Sequence, residues 1–360
     1  MNKKYFVYTG MAASILALFV IVLGAYVRLS DAGLGCPDWP GCYGQITVPE
    51  QGEALLKAEL AYPHKQVESA KAWKEMIHRY FASTLGFLIL IMAALAIRNR
   101  KDPQQQVFLP LLLVALVVFQ GLLGMWTVTL LLKPVIVTLH LLTGLLTFSL
   151  LVWLTLSHHP RWQQLKLNAG SISHKTRILA AAGLLVVACQ IFLGGWTSTN
   201  YAALYCADFP TCHGQWVPDL NFSEAYTFLR ESGINYEGGV LSTSAGVTVH
   251  FMHRVGALLT LVVIGLLALR LLLIEINTIL KRFGALLLLL LTVQISLGIA
   301  NVLLLLPIPI AVGHNAGAAL LLISTVFLNH LLSQTSSVPV SETISPQSVD
   351  YDQYSYNKAV

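Results

Sequence analysis

The ten residues Cys36-Pro37-Asp38-Trp39-Pro40-Gly41-Cys42-Tyr43-Gly44-Gln45 recur as Cys206-Ala207-Asp208-Phe209-Pro210-Thr211-Cys212-His213-Gly214-Gln215, an offset of 170 positions (36 to 206). Three further matches follow in the same order. Ile77-His78-Arg79 pairs with Met252-His253-Arg254 at an offset of 175 (78 to 253). Phe119-Gln120-Gly121-Leu122-Leu123-Gly124 pairs with Val293-Gln294-Ile295-Ser296-Leu297-Gly298, and Leu139-His140 with Gly313-His314, both at 174 (120 to 294, 140 to 314). Apolar helices resemble one another trivially, so only the polar and cysteine anchors carry weight. Such ordered anchors mark an internal duplication of about 170 residues.

What was duplicated is a set of membrane spans. Of the 360 residues, 56% are hydrophobic and 11% charged, whereas soluble domains carry roughly a quarter charged residues. Most of the surface must therefore face lipid. Eight runs approach the ~20 apolar residues that cross a hydrocarbon layer: Phe6–Arg28, Arg79–Ile97, Phe108–Leu130, Ile136–Leu156, Ile178–Ser198, Phe251–Leu273, Phe283–Leu305 and Ile310–His330. The first is too long for a signal-peptide core and lacks a small-residue cleavage pattern, so it reads as an uncleaved helix.

Four runs per copy bring both copies into the membrane in the same sense, as a parallel repeat related by a pseudo-two-fold axis along the membrane normal. The expected fold is all-α, eight transmembrane helices in two tandem four-helix bundles. Residues 1–157 form the first, 158–177 a linker and 178–332 the second, before a polar tail over 333–360 expected to be disordered. Lys3, Lys4, Arg98, Arg100, Lys101, Arg161, Lys166, Lys175, Arg177, Arg270, Lys281 and Arg282 all fall on one side. The positive-inside rule makes that side, with both termini, cytoplasmic. The long loops Leu29–His78 and Thr199–His250 then face outward.

Ionisable residues inside spans are costly and mark function. Of 11 histidines, only His78, His140, His253 and His314 are related by the duplication. Read from the apolar runs, His78 and His253 begin their helices and His140 and His314 lie near the start of theirs. Each copy thus brings two imidazoles to similar depth near the outer face, which is how a bundle holds a haem by axial ligation. The plain alternative is interfacial histidines bonded to loop backbone; zinc or copper would need further ligands that neither half evidently offers. His158, His159, His174 and His330 read as interface residues, and His64 and His213 as loop residues.

The copies differ at one telling position, where Glu75-Met76-Ile77-His78 faces His250-Phe251-Met252-His253. The i, i+3 spacing puts Glu75 on the face of His78 if the helix extends back that far. There a carboxylate can take a proton or stabilise developing positive charge, or merely favour a helix N-terminus. Arg79 and Arg254 could pair with haem propionates or snorkel to headgroups. Gln120 and Gln294 could bond near a ring or brace helices. The pairs Cys36–Cys42 and Cys206–Cys212 suit disulfides in an oxidising compartment, or a redox-active dithiol. Cys189 reads as a packing residue.

Over roughly Val7–Leu331 the sequence resembles the haem A synthases of bacteria and mitochondria. The resemblance is carried by Gly24-Ala25-Tyr26-Val27-Arg28-Leu29, the first cysteine loop, Glu75-x-x-His78-Arg79 and the other three repeated histidines. It implies oxidation of the C8 methyl of haem O to a formyl group, giving haem A for terminal oxidases in the plasma membrane. His78 and His140 would bracket haem O. His253 and His314 would ligate a haem b, and Glu75 would assist at an activated methyl carbon. The first cysteine pair would be the family's disulfide, with the second found only in some members. A haem O synthase, oxidase assembly factors, lipid and a second copy of the chain are candidate partners; nucleic acid is not. A di-haem b-type electron carrier or a haem-handling transporter would share the histidines without needing Glu75.

Overall fold

The computed structural model describes residues 2–163 and 172–333. The expected tail beyond Ser333, Lys166 and the centre of the expected linker lie outside the described residues. Eight helices are long and apolar enough to cross a membrane, from 22 to 31 residues each. They are α1 (Asn2–Leu29), α3 (Ser69–Arg98), α4 (Phe108–Thr129), α5 (Pro134–His158), α7 (His174–Thr199), α9 (Thr243–Leu273), α10 (Thr278–Leu303) and α11 (Ile308–Ser333). Short helices α2 (Gly52–Ala61), α6 (Pro160–Gln163) and α8 (Phe222–Ala225) lie between them. Among the described residues no strand forms; the only bridges are the matched Cys42–Gln45 and Cys212–Gln215.

Several helices begin earlier than their apolar runs. α3 starts ten residues before Arg79, and α9 eight residues before Phe251, so His78 and His253 sit inside their helices rather than at the ends. Hydropathy cannot see these polar first turns, but their chemistry is visible. Ser242 accepts a hydrogen bond from Ala245 N at the start of α9, and Ser173 and Asn277 cap α7 and α10 in the same way. The extension is what places Glu75 and His78 on one continuous helix.

α1, α3, α4 and α5 pack in a closed ring, and so do α7, α9, α10 and α11. The rings meet where α1 touches α11 and α5 touches both α7 and α11. Leu145, Val187, Ile191 and Leu322 are buried in a core that spans this junction. Outward-facing Ile15, Phe87, Leu185 and Leu258 are more than half exposed, as lipid-facing surface should be. At one end the halves are tied by polar contacts. Arg28 Nη2 donates to the Ser198 carbonyl at 2.8 Å, its guanidinium lies 3.9 Å above the Tyr201 ring, and Thr138 and Thr199 share a hydroxyl hydrogen bond of 3.1 Å.

The duplication extends into backbone geometry. Tyr43–Gly44 and His213–Gly214 take the same left-handed conformations, with φ of 53° and 73° in each pair. Leu131–Leu132 and Leu305–Leu306 end α4 and α10 alike, through Leu132 N to Thr127 O at 2.8 Å and Leu306 N to Asn301 O at 2.7 Å. Cys189, expected to pack internally, is exposed on α7; a small apolar side chain is equally at home against lipid.

Candidate haem sites and the acidic residue beside them

Each repeated histidine lies against a glycine of the neighbouring helix. A Cβ at Gly24 would come within 2.9 Å of His78 Cε1, at Gly194 within 3.0 Å of His253 Cε1, and at Gly298 within 3.1 Å of His314 Cε1. At Gly124 it would stand 3.6 Å from His140 Cε1. The imidazoles therefore lie in grooves beside glycines, in the order α1–α3, α4–α5, α7–α9 and α10–α11, and in all but the α4–α5 groove a Cβ would crowd the ring. The His253 and His314 rings face each other across the second half with centroids 6.5 Å apart. That gap accommodates a single metal atom, given metal–imidazole bonds of about 2.0 Å.

The nitrogens point the same way. His78 Nδ1, His140 Nδ1 and His314 Nδ1 are buried without a partner, and buried polar atoms left unpaired ask for an explanation. Imidazoles whose nitrogens the protein does not engage are free to give one of them to a metal. Among the described residues no three His, Cys, Asp or Glu side chains cluster as a metal site, and the facing rings of His253 and His314 are a donor set that suits a porphyrin iron. Haem b and haem O both fit that donor set.

Glu75 is buried on α3, 5% exposed. Its Oε2 accepts from Cys36 N at 3.0 Å, and its Oε1 from the Arg79 guanidinium. Arg79 also donates to the carbonyls of Asp38 and Pro40, at 3.1 and 3.2 Å, and of Gly41. In the second half His250 fills the same slot. Its Nδ1 accepts from Cys206 N at 3.1 Å, and Arg254 Nε lies 3.3 Å from its Nε2. Arg254 also donates to the Thr211 and Cys206 carbonyls at 2.7 and 2.6 Å. Both arginines thus clamp the cysteine loops onto the helix that carries the histidine.

Those loops are closed by disulfides Cys36–Cys42 and Cys206–Cys212. Asp38 accepts from Tyr43 N and Gly44 N at 2.6 and 2.7 Å. Asp208 does the same for His213 N and Gly214 N, at 2.7 and 2.9 Å. A further bond from the Thr211 hydroxyl, first among these contacts, holds the Asp208 carboxyl below the usual carboxylate range.

Gln120 donates to the His140 carbonyl at 3.0 Å and to Thr143 Oγ1. Gln294 approaches His314 Nε2 at 3.4 Å. Sequence reasoning missed Gln190, which lies 3.0 Å from His253 Nδ1; a lone amide inside an apolar run was its only signal. It also passed over the four glycines as a set, although two of them stand in the quoted repeat. His158 bonds within its own helix to the Leu154 carbonyl, and His330 reaches the Ser157 hydroxyl of the first half.

A family model described as cytochrome oxidase assembly protein matches residues 8–326. A haem A synthase of Shewanella oneidensis is 46% identical over 324 residues, 90% of this chain and 95% of the relative. Haem A synthases of Shouchella clausii and Halalkalibacterium halodurans are 32% and 26% identical over 60% and 71% of this chain, and 66% and 72% of their own lengths.

Proposed function

The chain belongs to the haem A synthase family, and from that premise we propose that it oxidises the C8 methyl of haem O to the formyl group of haem A, using residues 1–157 as the substrate half. In this reading His78 and His140 hold haem O, and Glu75 is the catalytic residue. His253 and His314 hold a resident haem b in residues 178–332, after the linker 158–177. The two halves are related by a pseudo-two-fold axis along the membrane normal, which the reciprocal contacts α1–α11 and α5–α7 support.

The observation that carries the assignment is the exchange of Glu75 for His250 in otherwise matched surroundings. Both residues accept the amide of the first loop cysteine, and both meet the arginine one turn later. Only the first half has a carboxylate there, three residues from a haem-ligand candidate. Turning a methyl into a formyl group removes four electrons and, with water as the oxygen donor, four protons. A buried carboxylate beside the reacting carbon takes a proton or stabilises positive charge as it develops. The arginine keeps that carboxylate oriented, and the disulfide loop covers it. When bound, haem b supplies one-electron carriage.

The chain is a multi-pass membrane protein. We place it in the plasma membrane with both termini cytoplasmic and the disulfide loops outside, which the basic segments and the two closed disulfides support. A haem O synthase and oxidase assembly factors are the proposed partners, since the substrate is too apolar to cross water unaided, and a second copy of the chain is a further one. The guanidinium groups of Arg79 and Arg254 are occupied by loop carbonyls, so a role at haem propionates would require them to serve both.

The test is expression with haem O supplied, followed by mass identification of the bound haems. Wild type should carry haem b with haem O or haem A, and Glu75→Gln should lose haem A while keeping haem b. Unmodified haem b alone in both would leave an electron carrier instead.

A further inference from the structure

The halves share their histidines and glycines but not what holds the imidazoles. In the second half Gln190 stands on α7, one turn before Gly194. Its Nε2 lies 3.0 Å from His253 Nδ1 and 3.0 Å from the His253 carbonyl. Gln294 Nε2 lies 3.4 Å from His314 Nε2. Both rings therefore have a glutamine amide at a ring nitrogen.

Neither ring of the first half does. The offset of 170 that aligns Gly24 with Gly194 puts Val20 where Gln190 stands. Gln120, the counterpart of Gln294, spends its amide on the His140 carbonyl and the Thr143 hydroxyl. The counterpart of Thr143 is Gly317 (143 to 317, an offset of 174), and a Cβ there would come within 2.3 Å of Gln294 Oε1. Glycine thus opens the space that Gln294 uses. His78 Nδ1, His140 Nδ1 and His314 Nδ1 are all buried and unpartnered, so of the four repeated histidines only His253 has a partner at Nδ1.

A second feature concerns Gln190, whose Oε1, like that of Gln294, is buried with no partner. An imidazole that gives Nε2 to a metal carries its proton on Nδ1. Turning the amide end for end, an assignment the two similar atoms allow, lets Oε1 accept that proton in exchange for the amide bond to the His253 carbonyl. The partner of a ligand's second nitrogen fixes ring orientation and basicity, and its loss typically costs about 10–100-fold in metal affinity.

We infer that Gln190 is a positioning residue that locks the His253 imidazole and so makes the second-half haem resident, while Val20 leaves His78 without such a partner and the first-half pair free to take up and release its porphyrin. The inference rests on the two-haem reading and supplies its reason: a substrate must leave after each turnover and a cofactor must not.

The experiment uses the full-length protein in mild detergent, as wild type, Gln190→Leu, Gln190→Glu and His253→Ala. It measures the rate at which haem b passes to an excess of an apo-haem-binding protein, and the midpoint potential. Gln190→Leu should speed haem loss about 10–100-fold and raise the potential, because a less basic imidazole stabilises ferric iron less. Gln190→Glu, which keeps an acceptor at Nδ1–H, should retain haem at the wild-type rate and lower the potential. Opposite shifts from two substitutions at one position are not what a packing role would produce. Wild-type rate and potential in Gln190→Leu would overturn the inference. Undiminished haem b in His253→Ala would overturn the two-haem reading instead.

Discussion

Replacing Glu75 by histidine copies into the first half what the second half carries at His250, and it separates the chemical role of the carboxylate from its structural one. Glu75 is 5% exposed and bonded to Cys36 N and Arg79. Glu75→Ala strands both donors, and breaking a buried ion pair from one side costs about 3–5 kcal/mol. Arg79 keeps its three loop carbonyls, which puts the cost at the lower end. Glu75→His is milder. His250 shows that an imidazole accepts the cysteine amide at 3.1 Å with the arginine 3.3 Å from its other nitrogen; a neutral ring has one acceptor nitrogen, so the bond accepted from the arginine is lost, at about 1.5–3 kcal/mol. Chemistry should behave in the opposite way. A neutral, proton-poor imidazole cannot replace a carboxylate beside a developing cation, and losing such a group typically costs about 100- to 10,000-fold in rate. The assay pairs thermal inactivation in detergent, read by size-exclusion chromatography, with haem A formation followed by mass. The expected pattern is Glu75→His more stable than Glu75→Ala and both inactive. Haem A formed by Glu75→His within about 10-fold of wild type, or a melt as low as that of Glu75→Ala, would refute the reasoning.

The glycine grooves make a graded prediction. Gly24→Ala and Gly194→Ala put a methyl at 2.9 and 3.0 Å from an imidazole carbon and should lower haem occupancy of their own half, whereas Gly124→Ala, at 3.6 Å, should be tolerated; pyridine haemochrome analysis of the purified variants checks this. Closing a loop of separation 6 removes about 2 kcal/mol of freedom from the open chain, so Cys36→Ser with Cys42→Ser should loosen the amide that holds Glu75. Haem A yield should fall more than for the matching pair Cys206→Ser with Cys212→Ser. Tyr43 has its phenol pushed up to about 12, first by burial and then by the negative charges of Glu68, Asp38 and Glu75. Its hydroxyl donates to the Gln66 carbonyl at 2.8 Å. Because the folded value is raised, its contribution is complete below about pH 10 and is lost as pH rises through about 12. Ultraviolet titration of wild type against Tyr43→Phe should show one phenol ionising only near that upper limit.

The spans, the duplication and the four histidines were legible because each rests on residue type. Apolar runs of span length, cysteines and histidines at matched offsets survive in a sequence without any knowledge of packing. The starts of α3 and α9 were not legible, because the Lys- and Glu-bearing opening of α3 and the Thr-Ser-Ala-Gly opening of α9 look like loop to a hydropathy argument. The condition on Glu75, that its helix must extend back past it, could be stated but not resolved until Ser69 proved to begin that helix. The arginines were read as facing propionate or headgroup, whereas they face backbone carbonyls of loops 38 to 48 residues away in sequence. Such long-range partners leave no periodic trace. The same holds for Gln190, whose meaning comes from the ring it touches on another helix, and for the glycines, each of which matters because of a histidine far from it in the chain.

The division of labour between the halves is tested most directly by two double variants, His78→Ala with His140→Ala and His253→Ala with His314→Ala, each expressed with haem O supplied and its bound haems identified by mass and low-spin spectrum. The first pair should lose haem O and haem A and keep haem b, and the second should lose haem b and keep unreacted haem O. Loss of the same haem from both variants, or full haem content in either, would contradict two separate sites.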